Sequence, residues 1–194
     1  MIIKFPNTAL LIIDVQNDFC PGGVMEITGG DGIIPTLNRL AFVFAERQGR
    51  VVATQDWHPS GHSSFSIWPE HCVQGSQGAD FYEELDLRPV NLILRKGFRK
   101  ELDSYSAFFE NDRRTSTGLD AYLKTHSINT VVLGGLATDY CVLYSAMDAV
   151  SLGYNTIVVN DAVRGLDSPP GSVDEAIRAM REAGVNITES GDLL

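Results

Sequence analysis

Short unbroken apolar runs alternate along the chain with stretches whose apolar positions recur every third or fourth residue. A run without alternation reads as a strand covered on both faces, and the longer spacing reads as a helix with one buried side. The first run, TALLIIDV at 8–15, predicts a core strand ending in an acid. A helix is predicted at 34–48, with Leu37, Leu40, Ala41 and Phe44 on one side, Pro35 tolerated in its first turn and Gly49 as its stop. Further strands are predicted at 50–54, 91–95, 130–133 and 155–159, and a short last one at 185–188. The polar loop 98–106 leads into a short helix and then another at 118–126; more helices are expected after Thr138 and at 172–183, where Ser172 and Glu175 suit a capping box.

Strands and helices in this order imply a three-layer α/β/α fold in a single domain over 1–194, with a mostly parallel central sheet of about six strands. In such sheets ligands bind beyond the carboxyl ends of the strands. Asp14, Asp56 with His58, Lys96 and Cys141 fall at or just past the ends of the first four predicted strands. Their joint placement marks one end of the sheet as the candidate site.

Composition narrows the partners. A formal net charge of -10 argues against nucleic acid or an anionic membrane, both of which need a basic surface. No apolar run approaches membrane-spanning length, and the run at 9–13 meets Asp14 before a signal-peptide core could form. Cys20, Cys72 and Cys141 are odd in number and far apart, so they make no disulfide framework, and a reducing cytoplasmic setting is expected. A homo-oligomer is left open.

The stretch 130–149, TVVLGGLATDYCVLYSAMDA, changes period at its two glycines, from strand to helix. With Thr138 as N-cap, Cys141 falls in the first helical turn, where free backbone N–H groups and a positive dipole favour a thiolate and could hold an oxyanion. A small core cysteine fits that segment equally well. The wider constellation favours chemistry: Asp14 could take the thiol proton and Lys96 could stabilise developing negative charge. Cys20 and Cys72 read as non-catalytic. Asp56 and His58, two apart in an extended segment, point the same way, and His71, or failing it His62, would complete a site for a divalent metal. Mixed oxygen and nitrogen ligands suit zinc, iron or manganese. Phe19, Trp68, Tyr105 and Tyr140 could sandwich a flat ring.

Five blocks, DVQNDFCPGG (14–23), DWHPSGHSSF (56–65), WPEHCVQGSQGAD (68–80), KGFRKELDSYSAF (96–108) and GGLATDYCV (134–142), together resemble the nicotinamidase (pyrazinamidase) family of the isochorismatase-like cysteine hydrolases. The resemblance implies hydrolysis of nicotinamide to nicotinate and ammonia in NAD recycling, with pyrazinamide also accepted. It implies Asp14 as general base, Cys141 as a nucleophile forming a thioester, and Lys96 as their electrostatic partner. It implies Asp56, His58 and His71 as ligands of one metal ion, zinc first, holding the pyridine nitrogen and waters; His62 stays open. It also implies a cis peptide between Leu136 and Ala137, and an oxyanion hole from the N–H groups of Ala137 and Cys141. Phe19 and Trp68 match ring-contacting positions, Tyr105 is a third wall, and Tyr140 is a position where relatives differ. Two other readings stand beside this one: a related amidase acting on a carbamoyl or ureido compound, and a non-catalytic metal or redox-sensing module using Cys141 as an oxidisable thiol. The metal set favours the ring-nitrogen substrate, which gives a metal something to hold.

Overall fold

The computed structural model describes residues 3–193. Thr8–Ile13 (β1) is buried along its whole length. Side chains alternate across a strand, so Leu10 and Ile12 enter one core and Ala9, Leu11 and Ile13 the other. The same division runs through Arg50–Asp56 (β2), Thr130–Leu136 (β4) and Asn155–Arg164 (β5): Val51, Val132 and Ile157 lie on the first side, Val52, Val131 and Val158 on the second. Leu92–Lys96 (β3) and Asn186–Thr188 (β6) form the edges of a six-stranded parallel sheet ordered β3-β2-β1-β4-β5-β6.

Ile34–Glu46 (α1) covers the first face with Leu37, Leu40, Ala41 and Phe44. The second face is covered by Leu119 and Leu123 of Leu119–Thr125 (α2), Ala146 and Ala149 of Leu143–Ser151 (α3), and Met180 of Ser172–Glu182 (α4). Each fully buried Leu or Phe contributes about 1.5–3 kcal/mol relative to exposure, so the two apolar layers hold the sheet rigid beneath the loops at its carboxyl end. This is the expected three-layer α/β/α architecture. After β3 the chain crosses to the other side of β1 to form β4, which makes the β1/β4 crevice the topological switch point. No helix among the described residues is long and apolar enough to cross a membrane.

Several local expectations are corrected. The two glycines do not end the fourth strand, which runs through them to Leu136. The following turn is a π turn, Thr138–Val142, capped by Ala137 and not by Thr138, so Cys141 lies one position deeper than expected. β5 continues past Asn160 and Asp161 to Arg164 after a shift of register against β4. The short helix expected between 106 and 118 is absent; that segment is turns, with Asp112 accepting from the amides of Arg114 and Thr115. The capping box at Ser172 does not form: Gly171 caps α4, and the Ser172 hydroxyl donates elsewhere, to Asp139. The Leu136–Ala137 peptide is cis, as the resemblance implied, and so is Ser168–Pro169, which the sequence reading did not foresee.

Candidate active site

Strand ends bring the polar residues together. Asp14 follows β1, Asp56 and Lys96 close β2 and β3, and Cys141 sits in the π turn after β4. Lys96 is fully buried and central. Its Nζ lies 2.8 Å from Asp14 Oδ2, 2.5 Å from Asp56 Oδ1, 2.9 Å from the Ser104 carbonyl and 3.5 Å from Cys141 Sγ. Burial works against this ammonium, but the two carboxylates outweigh it and hold its pKa well above the usual lysine range.

Asp14 is held by Thr54, whose hydroxyl donates to Oδ1 at 2.5 Å and accepts from the Asp14 amide at 3.1 Å. Asp14 Oδ2 receives no aligned hydrogen bond, since Lys96 approaches it off the bonding direction. Burial pushes the Asp14 carboxyl up, against the pull of Lys96, so it is a better proton acceptor than an ordinary aspartate. Burial also raises the Cys141 thiol, with Lys96 again opposing. Thr54 was not singled out by the sequence reading, because a hydrogen bond across forty positions leaves no local signal.

Asp56, His58 and His71 offer donor atoms all within 4.8 Å of one another. His58 Nδ1–H donates to the Gly97 carbonyl at 2.9 Å and His71 Nδ1–H to the Pro69 carbonyl at 2.7 Å, which leaves each Nε2 with its lone pair free. Burial lowers the His58 pKa, favouring the neutral form a metal requires. Asp56 Oδ2, 3.8 Å from His58 Nε2, is the carboxylate oxygen that Lys96 does not engage. Orientation comes from further out. Gln16 clamps Asp56 by donating to its carbonyl and accepting from its amide, and Asp18 accepts from the Cys72 amide beside His71. Gly97 has a positive φ of 63°, and a Cβ there would lie 2.6 Å from His58 Cε1. Two imidazoles, each held through Nδ1 by a backbone carbonyl, and one carboxylate fit a divalent cation.

His62 stands apart from this set. Its ring stacks on His58 with centroids 4.2 Å apart; its Nδ1 lies against Ser64, its Nε2 is 3.3 Å from the Leu102 carbonyl, and it groups with His58 and Asp103.

A cleft opens beside these groups. Phe19, Trp68, Tyr105, Leu136 and Ala137 all line it, as does Tyr140. Trp68 Nε1 donates to the Tyr105 hydroxyl at 3.1 Å, joining two of the walls. Met25, Ile27, Asp103 and Leu166 also line the cleft and were missed. Met25 and Ile27 were findable as apolar residues in a loop that leaves a strand end; Leu166 carried no signal. The first i→i−5 bond of the π turn runs from Val142 N to Ala137 O at 3.1 Å, so the Cys141 amide precedes the ladder, where a helix leaves donors for other uses. Cys20 and Cys72 are wholly buried; burial, with Asp31 nearby, pushes Cys20 to about 12, and burial raises Cys72 further from use.

The isochorismatase domain model matches residues 8–192. The nicotinamidase of Acinetobacter baylyi is 43% identical, over 97% of this chain and 95% of its own. An L. infantum protein solved in complex with nicotinate is 33% identical with a TM-score of 0.93, covering 100% of this chain and 98% of its own. The pyrazinamidase of Pyrococcus horikoshii, solved in complex with zinc, is 35% identical with a TM-score of 0.87, covering 95% and 99%. The chain belongs to the isochorismatase family, and its sequence places it with the relatives named nicotinamidase.

Proposed function

We propose that this protein is a single-domain cytoplasmic amidase that hydrolyses nicotinamide to nicotinate and ammonia, and accepts pyrazinamide. The observation that carries this reading is Lys96, whose one ammonium reaches Asp14, Asp56 and Cys141 together and so joins the nucleophile and its base to the metal ligands. Catalysis follows from charge balance. Two carboxylates already share one buried ammonium, so ionising the Cys141 thiol outright would add an uncompensated negative charge. Passing the proton to Asp14 Oδ2 leaves the total unchanged.

The thiolate then attacks the carboxamide carbon, and the oxyanion is held by the amides of Ala137 and Cys141. Asp14 returns the proton to the leaving nitrogen, releasing ammonia and a Cys141 thioester. A water gives Asp14 a proton as its oxygen attacks the thioester, and Asp14 hands that proton back to sulfur as nicotinic acid leaves, its remaining proton passing to solvent to give nicotinate. Phe19, Trp68 and Tyr105 hold the ring, with Leu136 and Ala137 beside the reacting carbon. When bound to Asp56, His58 and His71, a divalent cation supplies a Lewis-acid contact for the pyridine nitrogen. Zinc is our choice, supported by the relative solved with it.

The test is ammonia release from nicotinamide before and after chelation. The metal-loaded protein is expected to release ammonia, the chelated protein to need far more substrate, and Cys141→Ala to lose turnover by on the order of a thousandfold or more while keeping its fold. No ammonia from the metal-loaded protein, or turnover surviving in Cys141→Ala, would overturn the reading.

A further inference from the structure

We propose that Asp139 is a positioning residue that straps the segment carrying Leu166 onto the turn carrying Cys141 and so fixes one wall of the substrate cleft. This rests on the reading of the cleft as an amidase site. Asp139 lies two positions before Cys141 and is buried, yet its described side-chain hydrogen bonds go to none of the groups around Lys96. Its carboxylate is spent on a different segment. Oδ1 accepts from the Leu166 amide at 2.9 Å, while Oδ2 accepts from the Asp167 amide at 3.0 Å and the Ser172 hydroxyl at 2.6 Å. The neighbouring Tyr140 adds a fourth tie, its hydroxyl donating to the Ser168 carbonyl at 2.9 Å.

The segment between β5 and α4 belongs to no strand or helix. Its other described hydrogen bonds are local: Asp167 accepts from the amides of Gly171 and Val173, and the Ser172 amide donates to the Pro169 carbonyl. Those bonds shape the loop but do not hold it against the site. Gly165 lets it approach, because a Cβ there would lie 2.2 Å from Val173 Cγ2 and 3.0 Å from Asp139 Oδ1. Leu166 is thereby held against the turn that carries the nucleophile and lines the cleft together with Cys141. A charged acceptor of three donors is the strong form of such a tie.

Asp139 therefore acts on how substrate is held and not on the reactivity of the sulfur, and the two can be measured apart. For Asp139→Ala, KM for nicotinamide is expected to rise about tenfold or more, with kcat changed by no more than about threefold. The rate of Cys141 alkylation by iodoacetamide, which is too small to need the Leu166 wall, should stay within about twofold of wild type. Ser172→Ala, which removes one of the three donors, should shift KM in the same direction by less. An unmoved KM overturns the proposal, and so does alkylation that slows in step with kcat, because Asp139 would then support the nucleophile. If Asp139→Ala does not fold, Asp139→Asn, which keeps one acceptor oxygen, should give an intermediate KM, and an unchanged KM in that variant also overturns it. Wild-type protein that releases no ammonia would remove the functional reading and this proposal with it, whereas normal wild-type turnover with an unmoved KM removes this proposal alone.

Discussion

Asp14 and Lys96 share a buried contact of 2.8 Å, and that pair decides which of the three cysteines can do chemistry. Cys20 and Cys72 have no exposed surface, while Cys141, whose thiol burial also raises, lines the cleft with an acceptor and an ammonium beside it. In native protein near neutral pH, iodoacetamide is expected to label Cys141 alone, and in denaturant all three; peptide mapping reads the difference. Native labelling of Cys20 or Cys72 would contradict the burial argument. Asp14, Asp56, His58, Lys96 and Cys141 were legible from sequence because each sits at or just past a strand end, and a parallel sheet gathers such ends; His71 lies in the long loop after β2 and was legible only as a histidine able to complete the Asp56 and His58 pair. Thr54, Asp139 and Leu166 were not, because what matters about them is a hydrogen bond or wall contact to a residue far along the chain, which no local period records.

At the level of elements, periodicity located strands and helices well and their ends less well. The glycines at 134 and 135 look like a stop, yet they sit inside β4, and the helix proper begins only at Leu143, after the π turn. Ser172 and Glu175 have the spacing of a capping box, but the hydroxyl has a better acceptor in Asp139. Asp161 lies past the predicted end of the fifth strand at 159 yet within β5, where its carboxylate accepts from the Ser190 amide at 2.7 Å and the Ser190 hydroxyl at 2.6 Å. Burial opposes its charge, but the two Ser190 bonds outweigh that and hold its carboxyl below the usual range. A depressed folded pKa contributes fully above the unfolded value of about 3.9 and is lost as pH falls through the folded one. Asp161→Asn is therefore expected to lower stability by about 1 kcal/mol at neutral pH, with the gap closing in strong acid, as read from urea midpoints. A gap that stays constant with pH would contradict this.

For the whole molecule, the governing fact is the strand order. Placing β4 on the far side of β1 opens the crevice in which Asp14 and Cys141 meet, and β2 and β3 deliver Asp56 and Lys96 alongside. The architecture was readable because apolar strand runs recur along the chain with helical periods between most of them, although the long segment from β2 to β3 holds no α-helix. The walls of the cleft were left half-described, because they come from loops whose paths depend on tertiary ties. The proposed cleavage of nicotinamide passes through an acyl group carried on Cys141. The most direct test is to quench the metal-loaded protein with acid during turnover of nicotinamide and map the modified peptide by mass. A nicotinoyl thioester on Cys141 is expected; turnover with no acylated peptide, or an acyl group on Cys20 or Cys72, would contradict it.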